Sequence, residues 1–343
     1  MTKKERVSAA IEHRPVDRVP RGEICISGGF ANALLQKDYP LSYQHFERDC
    51  EARGRLGMDL ANIGDWPETE LPWDVPGEKR FRSTYGYEFI SNGVSKRILR
   101  PAVEDIECAG AYRAPDIREV STALLERYAR ETDFFLFAQV GGPISMVDEM
   151  FPMEDYMMYC LTNTKEIQSI GETVAEYEVQ KACRFLDAGA DAILVTDDIA
   201  FNTGTFLPPA VMEAIAYPVY RQMVSEIRRK KKVPVFFHSD GDLNKVMENI
   251  LSCGFDGLHS LQPSAGMDIR TLKRDYGDQL CLMGNIDLDY VMTFAPPDEV
   301  RRVVRETVEA ASPGSGYILA TCNTMVDSIP PENALAMYEF DAE

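Results

Sequence analysis

The sequence predicts an α/β fold, a (β/α)₈ (TIM) barrel, from three observations. Short apolar runs recur along the chain, long helical patterns separate most of them, and polar residues collect at their C-terminal ends. Eight runs can be counted: 19–26 (VPRGEICI), 58–64 (MDLANIG), 134–140 (FFLFAQV), 192–198 (AILVTDD), 233–239 (VPVFFHS), 256–262 (DGLHSLQ), 280–286 (LCLMGNI) and 316–322 (GYILATC). Most are near-continuously apolar rather than alternating, which suits strands covered on both faces of a parallel sheet. Between them, residues 163–188 place Ile167, Ile170, Val174, Tyr177 and Ala182 near helical spacing. Residues 208–231 open on Pro208 and Pro209, a pair that suits a first helical turn. Residues 296–311 open on prolines followed by Asp298 and Glu299, acids at the positive end of a helix dipole. Repeated strand–helix–strand units imply right-handed crossovers, and eight of them favour a closed barrel over an open doubly wound sheet. Residues 65–113 break the rhythm. There Tyr85-Gly86-Tyr87 and Ser91-Asn92-Gly93 read as the turns of a β-hairpin insertion. No linker or internal repeat divides the chain, so residues 1–343 read as one domain.

Composition narrows the function. The chain of 343 residues is 45% hydrophobic and 27% charged, ordinary for a protein with a large core. Its formal net charge of −19 would repel phosphate backbones and anionic membrane surfaces, which argues against nucleic-acid or membrane partners. The eight cysteines are scattered, with no CxxC, and read as reduced thiols rather than a disulfide framework. The opening TKKERVSAAIEH lacks a signal peptide's apolar centre. No apolar run approaches the roughly 18 residues of a membrane span. The expected location is the cytoplasm.

In a parallel barrel the site forms where strands end. The first run carries Arg21 and Glu23; the fourth ends in Thr196-Asp197-Asp198 and the fifth in His238-Ser239-Asp240. The sixth contributes His259 and Gln262, the seventh Asn285 and Asp287, and the eighth Thr321-Cys322-Asn323. Polar groups on apolar strands are costly unless paired or used. Asp197 and Asp198 are candidate catalytic acids; Glu23, Gln262 and Asn285 are candidate substrate contacts. The sharpest group is His238, Asp240 and Cys322. A His-x-Asp pair on an extended segment points both side chains one way, and a thiolate from the last strand could close the set. Imidazole, carboxylate and thiolate all ligate zinc, and three protein ligands with one open place is the catalytic pattern. Plainer roles stand beside these. His238 and His259 could be hydrogen-bonded core residues, Cys322 an inert buried thiol, Asp240 the cap of a helix starting near Leu243, and Asp197-Asp198 a capping or turn pair.

At these residues the chain resembles the uroporphyrinogen decarboxylase superfamily, and within it the corrinoid-linked methyltransferases. The blocks that carry the resemblance are KKERVSAAIEHRPVDRVPRGE, VGGPISMVDEMFPMEDY, DAILVTDDIAFNTGTFLPPA, VPVFFHSDGDL and GYILATCNTMVDSIPPENALAMYE, in family order along nearly the whole chain. The resemblance implies a (β/α)₈ barrel. Family members that decarboxylate uroporphyrinogen carry RQAGR just after the first strand; here the matching stretch is GEICISGGFAN, without arginine. The methyltransferase branch holds zinc with His-x-Cys and a later Cys. His238 matches the first ligand and Cys322 the last, while Asp240 stands where the middle Cys would be. A carboxylate donates less electron density than a thiolate and leaves a stronger Lewis acid. The resemblance therefore implies a zinc-dependent methyl transfer between a small methyl ether, amine or thiol and the cobalt of a cobalamin carried by a separate corrinoid protein. A metal-free decarboxylase-like lyase using Asp197 or Asp198, and a non-catalytic small-molecule-binding barrel, are the alternatives. A homo-oligomer is compatible with all three.

Overall fold

The computed structural model describes residues 1–42, 44–91 and 96–341. Thirteen strands lie among them: β1 Leu60–Ile63, β2 Glu68–Leu71, β3 Lys79–Ser83, β4 Glu88–Ser91, β5 Lys96–Arg100, β6 Phe135–Gly141, β7 Ala192–Thr196, β8 Ala200–Phe201, β9 Gly204–Thr205, β10 Val235–Ser239, β11 Gly257–Ser260, β12 Cys281–Ile286 and β13 Tyr317–Thr321. Seven form one parallel sheet in the order β1-β6-β7-β10-β11-β12-β13, which follows the chain. Helices return the chain between strands, among them 123–131, 164–187, 217–230, 269–276 and 297–311. Alternation along the strands separates two cores. Leu60, Phe135, Phe137, Leu194, Phe236, Met283 and Ile318 pack together inside the curled sheet, while a larger cluster, including Leu136, Val195, Phe237 and Leu319, packs the outer face against the helices. No helix among the described residues is long and apolar enough to cross a membrane.

The expected first strand, 19–26, is present as a strip rather than a regular strand. It makes only isolated parallel bridges, Arg21 with Leu319 and Ile26 with Met325. Backbone bonds still close the barrel through it. Leu319 N–H donates to Pro20 O at 2.9 Å, Gly22 N–H to Leu319 O at 3.0 Å, and Asp59 N–H to Arg21 O at 2.7 Å. The ladder toward β1 fails beyond that point because side chains take the next carbonyls: Arg53 donates to Glu23 O and Asn62 to Ile24 O. Gly22 is needed here, since a Cβ would lie 2.2 Å from the Leu60 side chain.

The insertion is larger than the expected hairpin. β2 to β5 make a four-stranded antiparallel sheet between β1 and β6. The β3–β4 turn uses Gly86 at φ +94°, a conformation that favours glycine. The Asn92-Gly93 turn lies outside the described residues.

Two buried carboxylates fasten the seam. Asp59, fully buried, accepts from Arg6 and Arg18 side chains at 2.7 Å and from Arg21 N–H at 2.9 Å. Glu23, also fully buried, accepts from Thr321 N–H at 2.9 Å, from Thr321 Oγ1 at 2.7 Å and from the Tyr338 hydroxyl. Burial pushes Glu23 up to about 7, against the lowering effect of those three donors.

Removing Asp59 would take one of two carboxylates from the buried Arg6, which keeps Asp17, and would leave the Arg21 N–H without its acceptor, so Asp59→Ala is expected to lower the unfolding free energy by about 2–3 kcal/mol in urea titrations; a loss below about 1 kcal/mol would refute that role. Glu23 has a pH signature. Below its ordinary pKa it is protonated in both states. As pH rises toward about 7 the unfolded chain ionises first, so stability falls across that window, by roughly 3 kcal/mol for a rise from 4.5 to about 7. Glu23→Gln, isosteric with the protonated form, should flatten the pH 5–7 part of the stability curve. An unchanged slope would overturn the assignment.

Candidate active site

Above the apolar interior, the next inward positions at the C-terminal end of the sheet are polar: Asn62 on β1, Gln139 on β6, Thr196 on β7, His238 on β10 and His259 on β11. Parallel register puts Thr196, His238 and His259 side by side. The layer is internally bonded. Asn62 donates to Gln139 Oε1 at 2.6 Å, and Gln139 donates to Thr196 Oγ1 at 3.1 Å. His238 Nδ1 and His259 Nδ1 are 2.7 Å apart. Beside Gln139 and Thr196, under the inserted sheet, lies a cavity of about 260 Å³ walled by Trp66, Tyr87, Lys96 and Glu149.

His238 is the centre of a three-residue cluster. One ligand atom each from Asp198, His238 and Asp240 lies within 4.8 Å of the other two. His238 Nε2 is 3.7 Å from Asp198 Oδ1, which also accepts Asp240 N–H at 2.9 Å. The chain turns sharply after Asp240. Gly241 sits at φ +89°, and a Cβ there would meet Ala200 backbone at 2.6 Å. This turn lets Asp240 face back over the barrel. One of its oxygens accepts from Asn323; the other, Oδ1, is buried and has no partner of normal hydrogen-bond geometry, although the Ser260 hydroxyl acts on the carboxylate. Burial raises the Asp240 pKa, while His238, Ser260 and Asn323 pull it down. His238 is buried, Asp240 partly so and Asp198 exposed, so the cluster opens to solvent on one side.

The other expected residues stand elsewhere. Asp197 is fully buried and points outward. It accepts from Ile144 and Ser145 N–H at the start of helix 143–148 and from the Tyr220 hydroxyl, and burial pushes it up to about 6. Glu23 faces helix 331–338 through Tyr338, at the seam already described. Neither carboxylate joins the His238 cluster or lines the cavity beside Gln139 and Thr196. Gln262 accepts Gly241 N–H at 3.0 Å, and Asn285 donates to Leu261 O at 2.6 Å and Met267 O at 2.7 Å. Both brace loops rather than face the opening. Cys322 is buried, its thiol pushed up to about 12 by burial and acted on by the Leu288 backbone; among the described residues it is not part of the metal-competent group. Asn62, Gln139, Thr196 and Asn323 were not singled out from the sequence as ligands or contacts. For Asn62, Gln139 and Thr196 the signal is parity, an inward position near the strand's C-terminal end; Asn323 lies past the end of β13 and carries no such signal.

An imidazole nitrogen and two carboxylates are a donor set suited to a divalent ion. Asp240 Oδ1, buried and without a hydrogen bond of normal geometry, is the kind of atom an ion would satisfy.

The family model described as uroporphyrinogen decarboxylase (URO-D) matches residues 96–343, well over half the chain. A methylcobamide:CoM methyltransferase, MtaA, of Methanosarcina barkeri is 22% identical over 336 residues, covering 92% of both chains. A uroporphyrinogen decarboxylase of Paraburkholderia phytofirmans is 24% identical over 281 residues, covering 74% of this chain and 71% of the relative. Among solved structures, a methyltransferase from Methanosarcina mazei superposes with a TM-score of 0.77 at 18% identity, covering 99% of this chain and 98% of the other; this agrees with the barrel fold. The chain belongs to the uroporphyrinogen decarboxylase (URO-D) family, and its similarity to a methylcobamide:CoM methyltransferase spans nearly its full length.

Proposed function

We propose that this chain is a methyltransferase that moves a methyl group between a small substrate and the cobalt of a corrinoid carried by a separate protein. The observation that carries the reading is the Asp198–His238–Asp240 cluster at the open end of the barrel, in a chain similar end to end to a methylcobamide:CoM methyltransferase. His238 Nε2, Asp240 Oδ1 and an Asp198 oxygen would hold a divalent ion, zinc on this reading, with one side left for substrate. Bound there, zinc would supply Lewis acidity at the substrate's methyl-bearing atom. Cys322 was the third ligand expected from the sequence; Asp198 replaces it in the proposed set because it is already within the cluster.

The rest of the barrel mouth prepares the site. Asn323 holds one Asp240 oxygen and leaves the other free. Gln262 holds the Gly241 turn. Thr196 and Gln139 offer a hydroxyl and an amide to a substrate entering the cavity of about 260 Å³ under the inserted sheet, a volume suited to a small molecule. A lyase using Asp197 has less support, since three donors already engage that carboxylate. No disulfide joins the cysteines among the described residues, which fits a reducing compartment and a cytoplasmic placement.

Purified protein is expected to bind one equivalent of Zn²⁺ by elemental analysis. His238→Ala and Asp240→Ala should each weaken binding by more than the roughly 100-fold upper range typical of a supporting residue. Asp198→Ala should cost more affinity than Cys322→Ala. The Co²⁺-substituted protein should lack the near-ultraviolet sulfur-to-metal charge-transfer band that a thiolate ligand would produce. A strong band would restore Cys322 to the set and remove Asp198.

Turnover is the second test. Metal-loaded protein is expected to demethylate methylcobalamin with a thiol, or to methylate cob(I)alamin from a methyl ether or amine, followed by the corrinoid absorbance change. If the metal-loaded protein leaves both corrinoids unchanged across such a panel, the methyltransferase reading fails.

A further inference from the structure

We propose that the cavity under the inserted sheet selects a small organic cation, so that the substrate of this barrel carries an alkylammonium group. The inference rests on the methyltransferase reading above and adds to it the chemical class of the molecule that enters.

The cavity of about 260 Å³ has aromatic wall residues, Trp66, Tyr85 and Tyr87, and three charged ones, Glu68, Lys96 and Glu149. Lys96 is already engaged. Its Nζ is 3.1 Å from a Glu149 carboxylate oxygen and donates to the Tyr87 hydroxyl at 2.9 Å. Glu68, on β2, makes no ion pair among the described residues; Lys79 on the facing strand pairs with Glu70 instead. Two carboxylates thus share one ammonium group, and the cavity is one positive charge short. Its rings suit such a charge, because their electron-rich faces attract cations. Two of them already do so: Lys96 Nζ stands 4.8 Å from the Tyr87 centroid, and Lys181 Nζ stands 4.3 Å from that of Trp66. An anion would have to part Lys96 from Glu149 and then sit beside two carboxylates.

The approach to the cavity has the same sign. The segments that follow β6, β7, β10, β11, β12 and β13 are residues 142–163, 197–208, 240–246, 261–268, 287–296 and 322–330. Together they carry twelve Asp and Glu residues against one base, Lys245, so the mouth draws cations in and turns anions away. Thr196 lines the cavity and is the register partner of His238, which puts that wall one strand spacing, about 4.8 Å, from the metal-competent cluster. Glu68 comes from the inserted sheet and Thr196 from the barrel. A molecule held by its ammonium group at Glu68 would therefore point its other end, with the methyl-bearing atom, toward the barrel.

The test is calorimetric titration of the full chain with three probes of one shape: choline, its neutral isostere 3,3-dimethylbutan-1-ol, and the anion 3,3-dimethylbutanoate. Choline is expected to bind about 10-fold tighter than the alcohol, with the anion weakest. Glu68→Gln should weaken choline roughly 3-fold and leave the alcohol unchanged. Lys96→Met, which leaves Glu149 without its lysine, should tighten choline by a similar factor. Both residues lie at the surface of the inserted sheet, so neither change opens the core. Equal affinity for choline and the alcohol would overturn the proposal. So would no saturable binding of choline, or tighter binding of the anion, which would make Lys96 the recognition group. The titrations need neither metal nor corrinoid. If choline binds as expected while the corrinoid panel stays silent, the methyltransferase reading fails and the cavity's class stands. Turnover confined to uncharged or anionic methyl donors would overturn the class and keep the methyl transfer.

Discussion

The closure between residues 20–26 and β13 is the constraint on which the rest of the molecule depends. A parallel sheet of seven strands has two exposed edges, and here both are sealed by one irregular strip. A strip with two isolated bridges cannot hold a barrel shut by its ladder alone. The closure is made by side chains: Asp59 gathers two arginines and one backbone amide, and Glu23 ties Thr321 to Tyr338. Thr321 is two residues before Asn323, and Asn323 holds Asp240. The seam therefore sets the position of the last strand, the last strand sets Asn323, and Asn323 sets which oxygen of Asp240 stays free.

The second constraint is the polar layer. Five polar side chains over an apolar interior would destabilise the barrel if left unpaired. Here Asn62, Gln139 and Thr196 form one bonded run, and His238 with His259 forms another. The two rings satisfy one another, and burial lowers the His259 pKa, which keeps that ring uncharged in the core. Full charges are pushed to the rim, where Asp198 is exposed and Asp240 only partly buried. The layer thus separates a dry, rigid floor from a wet, charged opening.

Much of this was legible in the sequence. Seven of the eight apolar runs became strands within a few residues of their expected bounds, because an interior of Leu, Ile, Val and Phe leaves a near-continuous apolar signature. The first run was harder, since the donors that replace its ladder, Arg53 and Asn62, come from other elements. Among the site residues, parity carries more information than strand-end position. Leu194 and Thr196 face inward, so Asp198 continues that face and Asp197 must turn out. Ile24 packs in the inner cluster, so Glu23 must also turn out. A carboxylate at a strand end reads the same whether it faces a cavity or the start of a neighbouring helix; counting by twos from an inward apolar residue separates the cases. Parity fails at Cys322. It shares the face of Ile318 and Ala320, but the strand ends at Thr321 and the thiol turns to the Leu288 backbone.

The donor set has a chemical consequence on the reading proposed above. One imidazole and two carboxylates leave a divalent ion with no net charge, as one imidazole and two thiolates would. Exchanging sulfur for oxygen therefore changes little in the long-range electrostatics of the barrel mouth. What changes is electron donation: carboxylates leave the ion harder and more acidic. Such an ion is suited to drawing electron density from an ether oxygen or an amine nitrogen as its methyl group departs, and less suited to presenting a thiolate as a nucleophile. His238 becomes more important in that setting, because it is the only strong neutral donor in the set, and the orientation of its lone pair decides whether the two carboxylates act on one ion or repel each other across an empty opening.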